Sequence, residues 1–265
     1  MADDRSFVTY QSYLRVPELL SLQSPLSDPE EHDEMLFIAI HQVYELWFKV
    51  VLHELDRIAA LLREGDGDRA ATGLKRVLTV LKVLVAQLDI LETMSPVEFA
   101  YFRDRLESGS GFQSAQFREL EFLLGHKRGG VLGGFSEDSP ERLRLERRRG
   151  EPTLWDAFLA FLAGRGFAIP ADLLERDVAR PVAPDERVQE VLIEIYRGEP
   201  GLMALCERFV DLDEGVQEWR YRHVKMVERT IGTKRGTGGT TGAAYLRTTL
   251  NAPAFPDLWA IRAEL

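Results

Sequence analysis

The sequence predicts an all-α protein, a single-domain bundle of long helices. Apolar residues recur at spacings of three and four along most of the chain, which is the pattern of a helix with one buried face. The apolar–polar alternation of a strand is nearly absent, and there is no internal repeat. With 265 residues, 45% of them hydrophobic and 29% charged, the chain is long enough to bury a sizeable core.

The first long helix is predicted to begin at residues 28–31, where Asp28 is a capping residue, Pro29 suits the first turn and Glu31 follows the cap by three positions. Apolar residues then continue at helical spacing until glycines at positions 65 and 67 end the pattern. A helix of about 35 residues would be roughly 50 Å long, which suits a bundle scaffold.

Further helices follow in order. Residues 69–92 predict a second long helix, Ser95-Pro96 starts a short one that the glycines of residues 108–111 end, and residues 115–124 predict another. Residues 136–151 suggest a loop or a small helical insertion, with the basic run of residues 147–149 in a solvated loop. The last helices are expected near residues 154–164, 185–197, 201–210 and 215–231. Residues 1–27 are predicted to form an N-terminal arm, and residues 28–265 the all-α domain.

Composition excludes several classes of protein. A net charge of −10 argues against nonspecific binding to nucleic acid. Cys206 is the single cysteine, so no disulfide within the chain and no covalent Cys-x-x-Cys-His haem attachment is possible. The N-terminus lacks a signal-peptide pattern, and no apolar run approaches the roughly 20 residues that cross a bilayer. We therefore expect a cytoplasmic protein with no membrane or nucleic-acid partner.

Two histidines stand in apolar helical segments. His223 lies near the end of a long helix, just before a glycine-rich loop at residues 236–242, and one such histidine can be the axial ligand of a haem iron. His41 lies in the apolar segment of residues 35–49. By itself, each is more simply interpreted as an ordinary structural histidine. No histidine follows a glutamate by three positions, which argues against a carboxylate-bridged di-iron bundle.

Three blocks together are more specific than either histidine: residues 35–49 (MLFIAIHQVYELWFK), residues 102–118 (FRDRLESGSGFQSAQFR) and residues 219–239 (WRYRHVKMVERTIGTKRGTGG). In this order they closely resemble the tryptophan 2,3-dioxygenase family, over nearly the whole chain from about Tyr10 to Leu250. The resemblance implies a haem b cofactor, noncovalent and ferrous for activity, in a pocket between helices. It also implies a homotetramer, a dimer of dimers. The implied reaction is cleavage of the indole C2–C3 bond of L-tryptophan by O2, which gives N-formylkynurenine.

The same resemblance assigns roles around the haem. It makes His223 the proximal iron ligand and His41 the distal histidine, which accepts a hydrogen bond from the indole N–H. Phe37 packs on the substrate ring, and Arg103 grips the substrate carboxylate through two parallel hydrogen bonds, a geometry that suits a guanidinium. From the local sequence alone, Phe37 would be a core residue, and Arg103 would pair with a neighbouring acid.

The remaining implied site residues line the substrate side or come from another subunit. Phe99 stands where some family members have a tyrosine, so a phenol contact to the carboxylate is missing. Ser110 lines the distal site, and Thr237 belongs to the glycine-rich loop that closes over the substrate. An N-terminal segment reaches a neighbouring subunit's active site, although an arm that packs on its own chain is the simpler interpretation. The residues of that segment are Tyr10, Tyr13 and Leu14.

Three alternatives to tryptophan cleavage remain open at this stage. A relative on the same scaffold could mono- or dioxygenate another indole, such as an alkylindole, in secondary metabolism. The presence of Arg103 argues against this alternative. A non-catalytic haem or O2-binding protein is a second alternative, and a purely structural helical bundle is the third.

Overall fold

A computed structural model describes residues 7–107, 109–234, 236 and 242–265, and over these residues the chain is helical with no strand. The predicted all-α class is therefore confirmed. In chain order the α-helices are α1 (Tyr10–Leu14), α2 (Val16–Leu19), α3 (His32–Arg63), α4 (Gly67–Leu91), α5 (Pro96–Arg103), α6 (Ala115–Leu123), α7 (Pro140–Arg149), α8 (Leu154–Gly164), α9 (Ala171–Leu174), α10 (Glu186–Gly198), α11 (Pro200–Ile231), α12 (Ala243–Arg247) and α13 (Pro256–Ala260).

The centre of the bundle is α4, which packs against both α3 and α11, while α8 and α6 pack on the other parts of α3. Leu74, Val77, Leu81, Leu84 and Leu88 of α4 recur at three- and four-residue spacing and are all buried. This spacing places them along one helix face. By length and composition α3 could cross a bilayer, contrary to the sequence-based expectation. In this fold many of its apolar residues pack against α4, α6 and α8 or line a cavity, whereas Met35, Leu46 and Val50 are exposed.

The start of α3 differs from the prediction. The helix begins at His32, and Asp28 and Pro29 precede it, joined by a cis peptide bond. The buried carboxylate of Glu34 accepts hydrogen bonds from the backbone N–H groups of Leu26 (2.8 Å) and Ser27 (3.0 Å). The incoming segment is thus held by Glu34, and Asp28 does not cap the helix.

The prediction of two helices at residues 201–210 and 215–231 was wrong, because α11 is continuous from Pro200 to Ile231. Gly215, taken as a helix start, lies inside it. A Cβ atom at this position would come within 3.2 Å of Leu81 Cδ1 on α4. Glycine therefore allows the two long helices to approach closely without ending either of them.

The predicted solvated loop at residues 147–149 was also wrong, because these residues form the last turn of α7. Arg148 makes two hydrogen bonds to the Asp56 carboxylate of α3, at 2.7 and 2.9 Å. The buried Lys127 donates to the carbonyls of Arg148 (2.8 Å), Arg149 (3.0 Å) and Glu151 (2.7 Å). A lysine that occupies these terminal carbonyls satisfies the end of a helix that would otherwise need water.

The N-terminal segment carries α1 and α2. Thr9 caps α1 and pairs reciprocally with Ser12. The segment is tied to α3 where Gln42 donates to the carbonyl of Leu22 (3.0 Å) and accepts from Gln23 (2.5 Å). The predicted boundary between residues 27 and 28 stays a prediction.

Candidate active site

A cavity of about 280 Å³ lies between α3, α4, α5 and α11 and the segment of residues 110–118. Six predicted site residues line this cavity: Phe37, His41, Phe99, Arg103, Ser110 and His223. They come from four separate parts of the chain, so the fold brings together what the sequence spreads over almost 190 positions. Thr237 lies outside the described residues. Tyr10 and Tyr13 are 73% and 76% exposed, and with Leu14 they do not reach the cavity of their own chain.

The protonation state of His41 follows from its hydrogen bond. Its Nδ1 lies 2.6 Å from the backbone carbonyl of Phe37, one helical turn earlier. Because a carbonyl can only accept, Nδ1 carries the hydrogen and Nε2 keeps its lone pair. Burial lowers the pKa of His41. The imidazole is therefore neutral near pH 7 and presents a hydrogen-bond acceptor.

Phe37 forms a continuous aromatic surface with its neighbours. Its ring centroid lies 4.2 Å from that of His41, 5.7 Å from Phe99 and 5.4 Å from Phe102. Phe99 and Phe102 meet edge to face at 5.4 Å, a favourable arrangement of two rings. Phe37 and Phe99 line the cavity, and the fully buried Phe102 packs behind them, so the two cavity-facing rings are held in place for a flat aromatic ligand.

Two polar groups stand at the edge of this surface. Arg103 is the last residue of α5 and is half-buried at the cavity. The start of α5 is fixed by a capping box between Ser95 and Glu98. The Ser110 hydroxyl accepts a hydrogen bond from the backbone N–H of Phe112 at 3.3 Å, which leaves its own proton available to another acceptor.

His223 faces the same cavity from α11. Burial, and after it the charges of the nearby His41 and Arg118, lower its pKa to about 4. The ring is therefore neutral, as an iron ligand must be. It stacks on Trp219, with centroids 5.1 Å apart and planes at 5°.

A buried ionic cluster beside the cavity received no role from the sequence. The Glu121 side chain, 3% exposed, accepts hydrogen bonds from Arg118 (2.6 Å), Arg128 (2.7 Å) and Arg220 (2.9 Å). Burial alone would raise the pKa of Glu121, but the three guanidinium groups outweigh burial and lower it. The spacing of Arg118 and Glu121 (i, i+3) was the available signal, whereas the contact with Arg220 spans 99 positions.

The residues at the cavity fit a haem group. Haem is a flat, mainly apolar ring with an iron that binds imidazole and with two carboxylates at its edge. The cavity offers a neutral imidazole on His223, aromatic walls and the guanidinium groups of Arg118 and Arg220. The thiol of Cys206 is buried in the core and does not line the cavity.

Comparison with known proteins agrees with this geometry. The family model described as tryptophan 2,3-dioxygenase matches residues 2–140 and 172–265. The chain belongs to the tryptophan 2,3-dioxygenase family. The cavity-lining residues with predicted roles all lie inside the two matched ranges, and most of α7 and all of α8 lie between them.

Similar proteins with this name occur in several bacteria. A tryptophan 2,3-dioxygenase of Herpetosiphon aurantiacus is 58% identical over 97% of this chain and 98% of its own length. One of Anaeromyxobacter sp. (strain K) is 56% identical over 97% of this chain and 96% of its own length. One of Caulobacter vibrioides is 44% identical over the full length of both chains.

Proposed function

We propose that this protein is a haem-dependent dioxygenase that opens the pyrrole ring of L-tryptophan between C2 and C3 with O2, giving N-formylkynurenine. One observation carries this proposal. The neutral imidazole of His223, the acceptor nitrogen of His41 and the guanidinium of Arg103 all border a single aromatic-lined cavity. These groups are what a haem iron, an indole N–H and an amino-acid carboxylate require. The names of the relatives support the same activity.

The cofactor in this proposal is haem b, held noncovalently with His223 as the proximal ligand and ferrous during turnover. Haem, when bound, supplies the iron at which O2 is activated. Because both oxygen atoms enter the product, no external reductant is consumed in a turnover.

Orientation of the indole is the task of Phe37 and His41. The indole ring packs on Phe37, and its N–H donates to Nε2 of His41, the nitrogen that the bond to the Phe37 carbonyl leaves as an acceptor. The indole N–H is a very weak acid, and the His41 imidazole is a weak base because burial lowers its pKa. His41 therefore orients the ring and need not remove its proton. Holding a reactant in contact geometry supplies a large part of the rate.

Recognition of the amino-acid part falls to Arg103. A guanidinium at a half-buried edge can form two charge-assisted hydrogen bonds with a carboxylate. Phe99 adds no hydroxyl group there, so Arg103 carries more of this interaction than in relatives with a tyrosine. We expect the loop containing Thr237 to close over this end of the substrate.

The proposed assembly is a cytoplasmic homotetramer in which the N-terminal arm of one subunit reaches the active site of another. The arm exposes Phe7, Val8, Tyr10 and Tyr13, each more than 70%, an unusual set of apolar side chains for a solvent-facing segment. Light scattering during size-exclusion chromatography tests the assembly. A variant that lacks residues 7–14 is expected to lose activity even where it stays tetrameric.

Product analysis tests the reaction. The ferrous, haem-loaded protein is mixed with L-tryptophan, 3-methylindole or 2-methylindole under isotopically labelled O2. Mass spectrometry then gives the masses of the products. We expect N-formylkynurenine with two labelled oxygen atoms and a strong preference for tryptophan. A preference for the methylindoles, or insertion of one atom with consumption of a reductant, would replace this proposal with oxygenation of another indole.

A further inference from the structure

The imidazole of His223 packs against another aromatic ring. A ligating histidine almost always donates its second ring N–H to a carboxylate, a carbonyl or water, and this bond fixes the ring plane. Within the described residues, no side chain or carbonyl forms a hydrogen bond with the ring of His223. The group in contact with the ring is the indole of Trp219, one helical turn earlier on α11.

The contact between these two rings restricts rotation. Their planes are 5° from parallel with centroids 5.1 Å apart, which is an offset stack. The terminal torsion of a histidine is broad and roughly two-fold, so the side chain alone does not fix its ring plane. A neighbouring parallel indole removes this freedom, because rotation of the imidazole would drive its edge into the indole face.

Trp219 is itself fixed by rings from two other helices. Phe117 of α6 lies 4.8 Å away, and Phe48 and Tyr44 of α3 meet it edge to face at 6.1 and 6.3 Å. Because these rings hold Trp219 in place, Trp219 in turn fixes the ring plane of His223 relative to the bundle.

We propose that Trp219 is a positioning residue for the iron ligand: its indole sets the ring plane of His223, and thereby the strength of the iron–histidine bond. This inference rests on the proposed function, because it takes His223 as the proximal ligand. It adds a residue that acts on the iron through His223.

The test compares Trp219→Leu and Trp219→Phe with Trp155→Leu in the haem-loaded protein. Trp155 is the matched control, because it is 2% exposed, sits among Phe158 and Phe255 at 5.3 and 5.5 Å, and does not line the cavity. Three quantities are measured: the iron–histidine stretching band in the ferrous resonance Raman spectrum, the ferric/ferrous midpoint potential, and the rate of haem transfer to apomyoglobin.

We expect Trp219→Leu to shift and broaden the iron–histidine band, to change the potential and to speed haem release about ten- to hundredfold, the usual effect of losing an outer partner of a ligand. Trp219→Phe keeps a stacking ring and should lie between this variant and wild type. Trp155→Leu should lower the melting temperature and leave the band and the potential unchanged.

The outcomes separate this inference from the proposed function. An unchanged band and potential in Trp219→Leu overturn the role of Trp219 and leave His223 as the ligand. If Trp219→Leu does not fold, an unchanged band and potential in Trp219→Phe overturn it equally. If wild type shows no iron–histidine band, or if His223→Ala retains it, the proposed function itself fails.

Discussion

Two clusters of aromatic side chains, each built around a tryptophan, stand in different parts of the bundle. The core cluster joins Trp155, Phe158, Phe209 and Phe255, all at most 2% exposed. The cavity cluster joins Trp219, Phe48, Phe117 and Tyr44 and borders His223. The packing is similar in kind, but the cavity cluster also contains the buried indole N–H of Trp219, for which no hydrogen-bond partner is found among the described residues. The core cluster fills the interior away from the cavity, whereas the cavity cluster borders the histidine that the proposed function assigns to the iron.

The largest effect that tests this difference between the two clusters is expected at the iron ligand. His223→Ala removes the imidazole and leaves the rings around it in place. We expect loss of haem binding, because alanine has no atom that can coordinate the iron that the proposed function assigns to His223. The Soret absorbance after haem titration measures the loss, and unchanged far-UV circular dichroism is the control. Normal haem content in this variant would remove the assignment of His223.

The core cluster predicts the opposite pattern. Phe158→Ala deletes a fully buried ring between Trp155 and Phe209 and leaves a cavity. A change of this kind costs about 3–5 kcal/mol in the free energy of unfolding. Chemical denaturation measures the cost, and we expect the haem spectrum of the folded fraction to stay as in wild type. A shifted spectrum would mean that the two clusters are coupled.

The difference between the core and the cavity also decides how much of the protein could be predicted from the sequence. The α4 core was predictable because Leu74 to Leu88 repeat the helical spacing, and α8 was predicted at its observed bounds, Leu154–Gly164. The interruption of α11 was predicted wrongly because Gly215 has two meanings. A glycine often ends a helix, but here it lets α11 approach Leu81, and only the packing partner distinguishes the two cases.

The residues of the site were predictable only in part. The resemblance assigned His41, Arg103 and His223, which the fold brings to one cavity. No local pattern indicated the stack of Trp219 on His223, because a tryptophan four positions before a histidine is common on any amphipathic helix. The pairing of Glu121 with Arg220 depends on the approach of α6 and α11, which spacing along the chain does not encode.

Substrate specificity tests the role of Arg103 at the edge of the cavity. Arg103→Ala should lower kcat/KM for tryptophan by roughly ten- to a hundredfold, because a lost charge-assisted pair costs about 1.5–3 kcal/mol. The value for 3-methylindole, which has no carboxylate, should change little. Steady-state rates for both compounds measure the effect. Equal losses for the two would show that Arg103 supports the fold of the site and does not bind the carboxylate.

His126, near the buried ionic cluster around Glu121, predicts that the free energy of unfolding depends on pH. Burial, and after it the positive charge of Arg220, lowers the pKa of His126 to about 4. The folded state then binds fewer protons than the unfolded state between about pH 4 and 6.5, so the unfolding free energy falls as the pH drops through this window. In His126→Asn, the free energy of unfolding should fall by about 1–3 kcal/mol less between pH 7 and pH 4.5 than in wild type. Chemical denaturation at both pH values measures this difference. Parallel curves for the two proteins would contradict it.

The smallest expected effect is at His41, which lies in the same cavity as His223 but is held by the Phe37 carbonyl. Because we assign it orientation of the indole, His41→Ala should keep its haem and lose only the share of the rate that one neutral hydrogen bond supplies, about 0.5–1.5 kcal/mol or up to roughly tenfold. Single-turnover rates with tryptophan and with 1-methyltryptophan, which has no indole N–H, separate the contributions. The difference between the two substrates should shrink in His41→Ala. If this variant loses haem while His223→Ala keeps it, the two faces of the cavity are reversed.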